Sequence, residues 1–153
     1  MLSRKVVTRS GRGFRGHFPS KKLNRLVQFE SLLERDAIQF FENSDEVLRY
    51  REQPTIIYYY QEDLQRKYYP DFELELVSGA IVHIEVKPSI HLATIKLSTK
   101  YQLIADTYQT RPETFIVLTE RELRGGQCAD FYHTLNNGNL NLSKGGRHAQ
   151  ILL

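Results

Sequence analysis

Tryptophan is absent from this chain, and cysteine and methionine occur once each in its 153 residues. With Cys128 alone there is no intramolecular disulfide framework. Five scattered histidines and one cysteine give no zinc-ligand spacing. No apolar run approaches the roughly 20 residues that a membrane-spanning helix needs. The amino terminus is charged but has no apolar segment behind it, so a secretory leader is not expected and a cytoplasmic protein is. Internal repeats, a glycine-rich phosphate loop and a local Ser-His-Asp arrangement are also missing.

Acid is missing from one end. Residues 1–29 hold eight Lys or Arg and no Asp or Glu, so the remaining 13 basic and 18 acidic residues leave the rest of the chain at −5, against +3 overall. A basic arm on an acidic body suggests a phosphate-binding tail, with a solubilising tail as the blander alternative. Gly11, Gly13 and Gly16 predict flexibility over 1–25, with Arg9, Arg12, Arg15, Lys21, Lys22 and Arg25 as candidate DNA contacts.

What is present is enough for one core. A hydrophobic fraction of 41% with nine Tyr and eight Phe fits a single domain. Its expected parts are the arm (1–25), a body (26–125) and an extension of that body (126–153). Apolar residues at helical spacing run from Phe29 through Leu32, Leu33, Ala37, Phe40 and Phe41. Residues 54–60 read as a strand with a turn at Gln61–Asp63. Residues 68–77 alternate Asp71, Glu73 and Glu75 with Phe72, Leu74 and Leu76, a half-buried strand. Ser78-Gly79 marks a turn into a second strand over 80–87, and together these read as a hairpin. A helix is expected over 93–108, on the stripe Leu97, Tyr101, Ile104 and Tyr108, with Lys96 and Lys100 at its flank. A buried strand follows over 114–118, and a short helix over 129–136. Helix, strands, helix, strand predicts an α/β sandwich on a central mixed sheet flanked by helices.

The chemistry-bearing residues sit in the hairpin. Tyr69-Pro70-Asp71 is followed, fourteen positions after the aspartate, by Glu85-Val86-Lys87-Pro88. Two carboxylates can hold a hard divalent cation through oxygen. Such a cation polarises a phosphate and acidifies a bound water. A lysine beside it stabilises developing negative charge. Glu85 and Lys87 share one strand face with Ile81 and His83, and a hairpin can bring Asp71 opposite. Acids and lysines also alternate on ordinary solvated strand faces. His83 reads as an ordinary strand residue. In the first helix Glu34 projects beside the apolar stripe, where a buried charge needs a partner; Glu30 and Asp36 fall near the same arc, and periodicity alone leaves the choice open.

Five segments in order carry a resemblance: Ser31-Leu32-Leu33-Glu34; Val47 with Arg51-Glu52-Gln53-Pro54; Tyr69-Pro70-Asp71-Phe72; Glu85-Val86-Lys87-Pro88; and Phe115–Glu122. Over roughly residues 12–125 the chain resembles the catalytic domain of TnsA-type transposon endonucleases, members of the PD-(D/E)xK nuclease superfamily. The resemblance implies a restriction-endonuclease-like fold and Mg²⁺-dependent DNA cleavage, with Mn²⁺ as substitute, leaving a 5′-phosphate and a 3′-hydroxyl. It implies Asp71 and Glu85 as metal ligands, the Val86 carbonyl as a further oxygen, Glu34 (not Glu30) as the helical ligand, and Lys87 as the catalytic lysine. Gln53 is implied to be structural. The implied partners are DNA and a transposase subunit, with a homo-oligomer also open, in a bacterial or phage-encoded protein. About thirty residues follow Glu122, too few for the regulator-binding domain of longer TnsA proteins. Small phage head-completion nucleases share a similar Ser-x-x-Glu helix and Tyr-x-x-Asp-Phe strand, which would make the partners phage head proteins and the setting a virion. A non-catalytic DNA-binding or assembly module is the third reading.

Overall fold

The computed structural model describes residues 14–124. Arg9, Arg12, Cys128 and the helix expected over 129–136 lie outside them. The elements are β1 (Gly16–Ser20), β2 (Arg25–Phe29), α1 (Leu32–Glu42), β3 (Val47–Glu52), β4 (Ile57–Gln61), β5 (Leu64–Tyr68), β6 (Phe72–Leu76), β7 (Ile81–Val86), α2 (Ser89–Leu92), α3 (Ile95–Tyr108), β8 (Thr114–Leu118) and α4 (Glu120–Arg124). The fold is mixed α/β. A four-stranded mixed sheet has the order β3-β6-β7-β8, and β1-β2 and β4-β5 form separate two-stranded ribbons. Among the described residues no helix is long and apolar enough to cross a membrane.

The β6–β7 hairpin forms as its alternation predicts. Glu73 pairs with His83 and Phe72 with Ile84, and Gly79, at φ +90°, supplies the left-handed residue of the connecting turn. β8 runs parallel to β7, a pairing that requires a crossover, here α2 and α3. Cross-strand partners share a face. Tyr50, Phe72, Leu74 and Ile84 therefore line one side of the sheet, where Phe41 of α1 packs edge-on against Phe72 with ring centroids 5.4 Å apart. His83, Glu85 and Phe115 line the other side, under Tyr101 and Tyr108 of α3. β7 is thus buried on both faces.

Three expectations need correcting. The strand expected over 54–60 starts at Ile57, and residues 64–68 form its partner through Glu62 and Asp63, both at positive φ. That two-residue loop has the conformation whose twist suits a hairpin. The run read as one strand over 68–77 is broken at Tyr69–Asp71, before β6 begins.

The third correction concerns the arm. From Gly16 onward the segment read as flexible is the β1–β2 hairpin. Its turn locks onto the end of α1: the Lys22 ammonium donates to the carbonyls of Phe41 (3.0 Å), Val47 (2.6 Å) and Ser44. Glu42 accepts from the backbone amides of Lys21 (2.7 Å) and Lys22 (2.9 Å) and from the hydroxyls of Ser20 and Tyr50. Arg25 forms a two-pronged pair with Glu52 at 2.9 Å. Lys22 and Arg25 thus make these contacts within the fold. A cation on the last turn of a helix satisfies its orphan carbonyls and opposes its dipole.

Candidate active site

Asp71 stands at the mouth of β6, held from both sides. Its amide donates to the Ile84 carbonyl, and its carbonyl accepts from the Gln53 amide, each at 2.9 Å. Gln53 makes that bond from the left-handed region (φ +47°), where the chain turns out of β3. The Asp71 carboxylate then accepts from the Val86 amide at 2.8 Å. This bond ties the aspartate to the segment carrying Glu85 and Lys87.

Glu85 lies on the inward-facing side of β7 beneath α3. Tyr68 donates to one of its oxygens at 2.7 Å and Tyr101 to the other at 2.9 Å. Burial, followed by the nearby carboxylates, pushes both phenols well above their ordinary range, so at neutral pH they are protonated donors. The Lys87 ammonium sits 3.7 Å from Glu85 and is about a third exposed.

Glu34 comes from the first turn of α1. Ser31 caps the helix by accepting from the Glu34 amide at 3.1 Å, and the Glu34 carboxylate accepts from the Glu30 amide at 2.7 Å. This is close to a capping box, with the return bond made one residue earlier than usual. Glu34 is thereby aimed past the helix end toward the sheet. Glu34, Asp71, Glu85, Val86 and Lys87 all line one cavity of about 270 Å³, which Glu30 also borders.

The electrostatics of that cavity are those of crowded acid. Burial first, then the charges of Glu85 and Glu34, raise the Asp71 carboxyl well above its ordinary value; the Val86 amide and Lys87 offset this only in part. Such a donor set suits a hard divalent cation, which would relieve the repulsion through oxygen ligands. Among the described residues, however, no group of three or more His, Cys, Asp or Glu side chains stands gathered at metal-holding spacing.

His83 is buried, bonded to Tyr108 at 2.7 Å and to Glu73 at 2.8 Å, away from the cavity lining. A second cavity, of about 300 Å³, lies beside Arg49, Arg51, Glu73 and Glu75. Its charges are already paired across β3 and β6. Sequence reasoning missed Tyr68 and Tyr101 as Glu85 partners and Lys67 as a cavity residue. Tyr101 was visible only as part of an apolar helical stripe, and no local pattern ties it to a carboxylate sixteen residues upstream. Compared with known proteins, the chain matches no family model and no curated protein.

Proposed function

We propose that this protein is a divalent-cation-dependent DNA endonuclease with a restriction-endonuclease-like fold, akin to the TnsA subunit of a heteromeric transposase. The observation that carries the reading is the convergence of Glu34, Asp71, Glu85 and Lys87, from three separate segments, on one cavity. Support for the fold comes from the order α1, three antiparallel strands (β3, β6, β7), α3 and a parallel β8.

Asp71 and Glu85, with the Val86 carbonyl and with Glu34 directly or through water, would hold the cation; once bound, Mg²⁺ would polarise the phosphate and acidify water. The chain's own residues have separate tasks. Tyr68 and Tyr101 fix the orientation of Glu85. The Val86 amide fixes Asp71. Lys87 orients the attacking water and stabilises negative charge on the phosphate oxygens. The body outside residues 1–29 is net acidic, so a partner such as a transposase subunit is needed to bring DNA to the site.

A second reading, a non-catalytic DNA-binding module, is favoured by one observation: both Glu85 oxygens already accept phenol hydrogen bonds. Crystals soaked in Mn²⁺ separate the two. Anomalous density between Asp71 and Glu85 is expected. An ion bound elsewhere, with these side chains unmoved, contradicts the nuclease reading.

A further inference from the structure

The geometry points to the outer face of the β4–β5 hairpin as a docking strip for an unpaired DNA strand, with bases on Tyr58 and Tyr60 and a phosphate at Lys67. The inference rests on the nuclease reading and adds the form of substrate the site takes. The hairpin buries its inner residues Ile57, Tyr59 and Tyr68 in the core. Its outer tyrosines do not serve that burial: Tyr58 is 46% exposed and Tyr60 64%. Tyr58 pairs with Lys67 and Tyr60 with Gln65, so these four side chains share the outer face.

Lys67 also lines the acidic cavity, so the strip is continuous with the candidate active site. Lys100 of α3 lines the same cavity. Together with Lys87 they set cations around a carboxylate cluster, an arrangement that accepts a phosphodiester backbone at its rim. Glu62 and Asp63 make the hairpin tip acidic, which directs a polyanion across the strands and not over the turn.

Spacing selects the form of the strand. Tyrosines two residues apart on one strand lie about 6.8 Å apart. Neighbouring bases in a duplex strand are stacked at about 3.4 Å. Consecutive bases can therefore meet these two rings only where the strand is unstacked. Stacking on tyrosine is sequence-tolerant, because every base has a π-face.

The test uses the full-length protein in EDTA, with a labelled mixed-sequence oligonucleotide as a single strand and as its duplex. Wild type is expected to bind the single strand more tightly. Tyr58→Ala and Tyr60→Ala should each weaken single-strand binding about 5- to 150-fold, the equivalent of one lost base stack, and leave duplex binding unchanged. Tyr58→Phe and Tyr60→Phe should retain it, since the ring remains. Lys67→Ala should reduce the slope of log affinity against log salt on the single strand by about 0.7. Alanine variants that hold the single strand as wild type does overturn the strip, as does an equal loss on both DNA forms. Binding in EDTA is independent of cleavage. If the tyrosines hold DNA but no cation-dependent cutting occurs, the nuclease reading fails alone; if cutting occurs and the tyrosines are silent, the strip fails alone.

Discussion

Replacing Lys22 with methionine separates a structural lysine from a DNA-binding one. Methionine keeps most of the apolar stem and removes the ammonium. In the wild type that ammonium donates to the carbonyls of Phe41, Ser44 and Val47, at and just beyond the end of α1. A hydrogen bond to a charged donor contributes about 1.5–3 kcal/mol net. Two effects keep the total well below three times that figure. Water can replace the lysine at these part-buried carbonyls. Burial also holds the Lys22 ammonium below its ordinary pKa, with Glu42 and Asp45 offsetting only part of the desolvation. A loss of about 2 kcal/mol is therefore expected. For a chain of this size that lowers Tm by roughly 4–8 °C, read by circular dichroism on heating. The same variant should leave the salt dependence of DNA binding unchanged. If Tm held while the slope on duplex DNA fell by about 0.9, one phosphate contact, Lys22 would belong to the DNA interface and the account of the hairpin would be wrong.

Glu34→Gln should keep the fold, because glutamine can still accept from the Glu30 amide, while abolishing Mg²⁺-dependent cutting; loss of cutting in Glu30→Gln but not Glu34→Gln would reverse the assignment. Gln53→Val should cost about 1–2 kcal/mol more in urea unfolding than Gln53→Asn, since asparagine tolerates the left-handed backbone and a β-branched residue does not. Burial lowers the His83 pKa, outweighing the pull of Glu73, so the unfolded chain takes that proton first and stability is lost as pH falls below about 6.5 toward the folded-state value. His83→Gln should shrink that part of the acid limb, and an identical pH–stability curve would mean that the fold leaves the His83 pKa unshifted.

The parts of the molecule legible in the sequence are those where the local pattern and the tertiary environment agree. The β6–β7 hairpin has strict alternation and a glycine turn. β8 is a short apolar run of the buried type and appears where expected, at Thr114–Leu118. β3 is not legible as a strand: only the resemblance segment of Val47 with Arg51-Glu52-Gln53-Pro54 falls there. Its apolar content is low, and the bulge between Val47 and Arg49 breaks its period, so no alternation could be read. The basic amino-terminal segment read as a flexible DNA-contacting arm because its cations have no local acids. Their partners, Glu42, Glu52 and the carbonyls closing α1, lie 19 to 27 residues away. At the candidate site, Asp71, Glu85 and Lys87 were legible because a hairpin fixes which side chains meet. The Glu85 phenols were not, since long-range packing through β5 and α3 brings them there.

The central claim is that the acids of this cavity cut DNA with a divalent cation. Its most direct test is nicking of supercoiled plasmid by the purified full-length chain, with and without Mg²⁺, against Asp71→Asn. This substitution keeps an oxygen to accept the Val86 amide and removes the charge. The account predicts slow, Mg²⁺-dependent nicking by wild type, silenced by EDTA and by Asp71→Asn, with the variant as stable to heat as wild type or more so, since the charge that burial and Glu85 oppose is gone. Equal nicking by both proteins, or nicking indifferent to Mg²⁺, would contradict it.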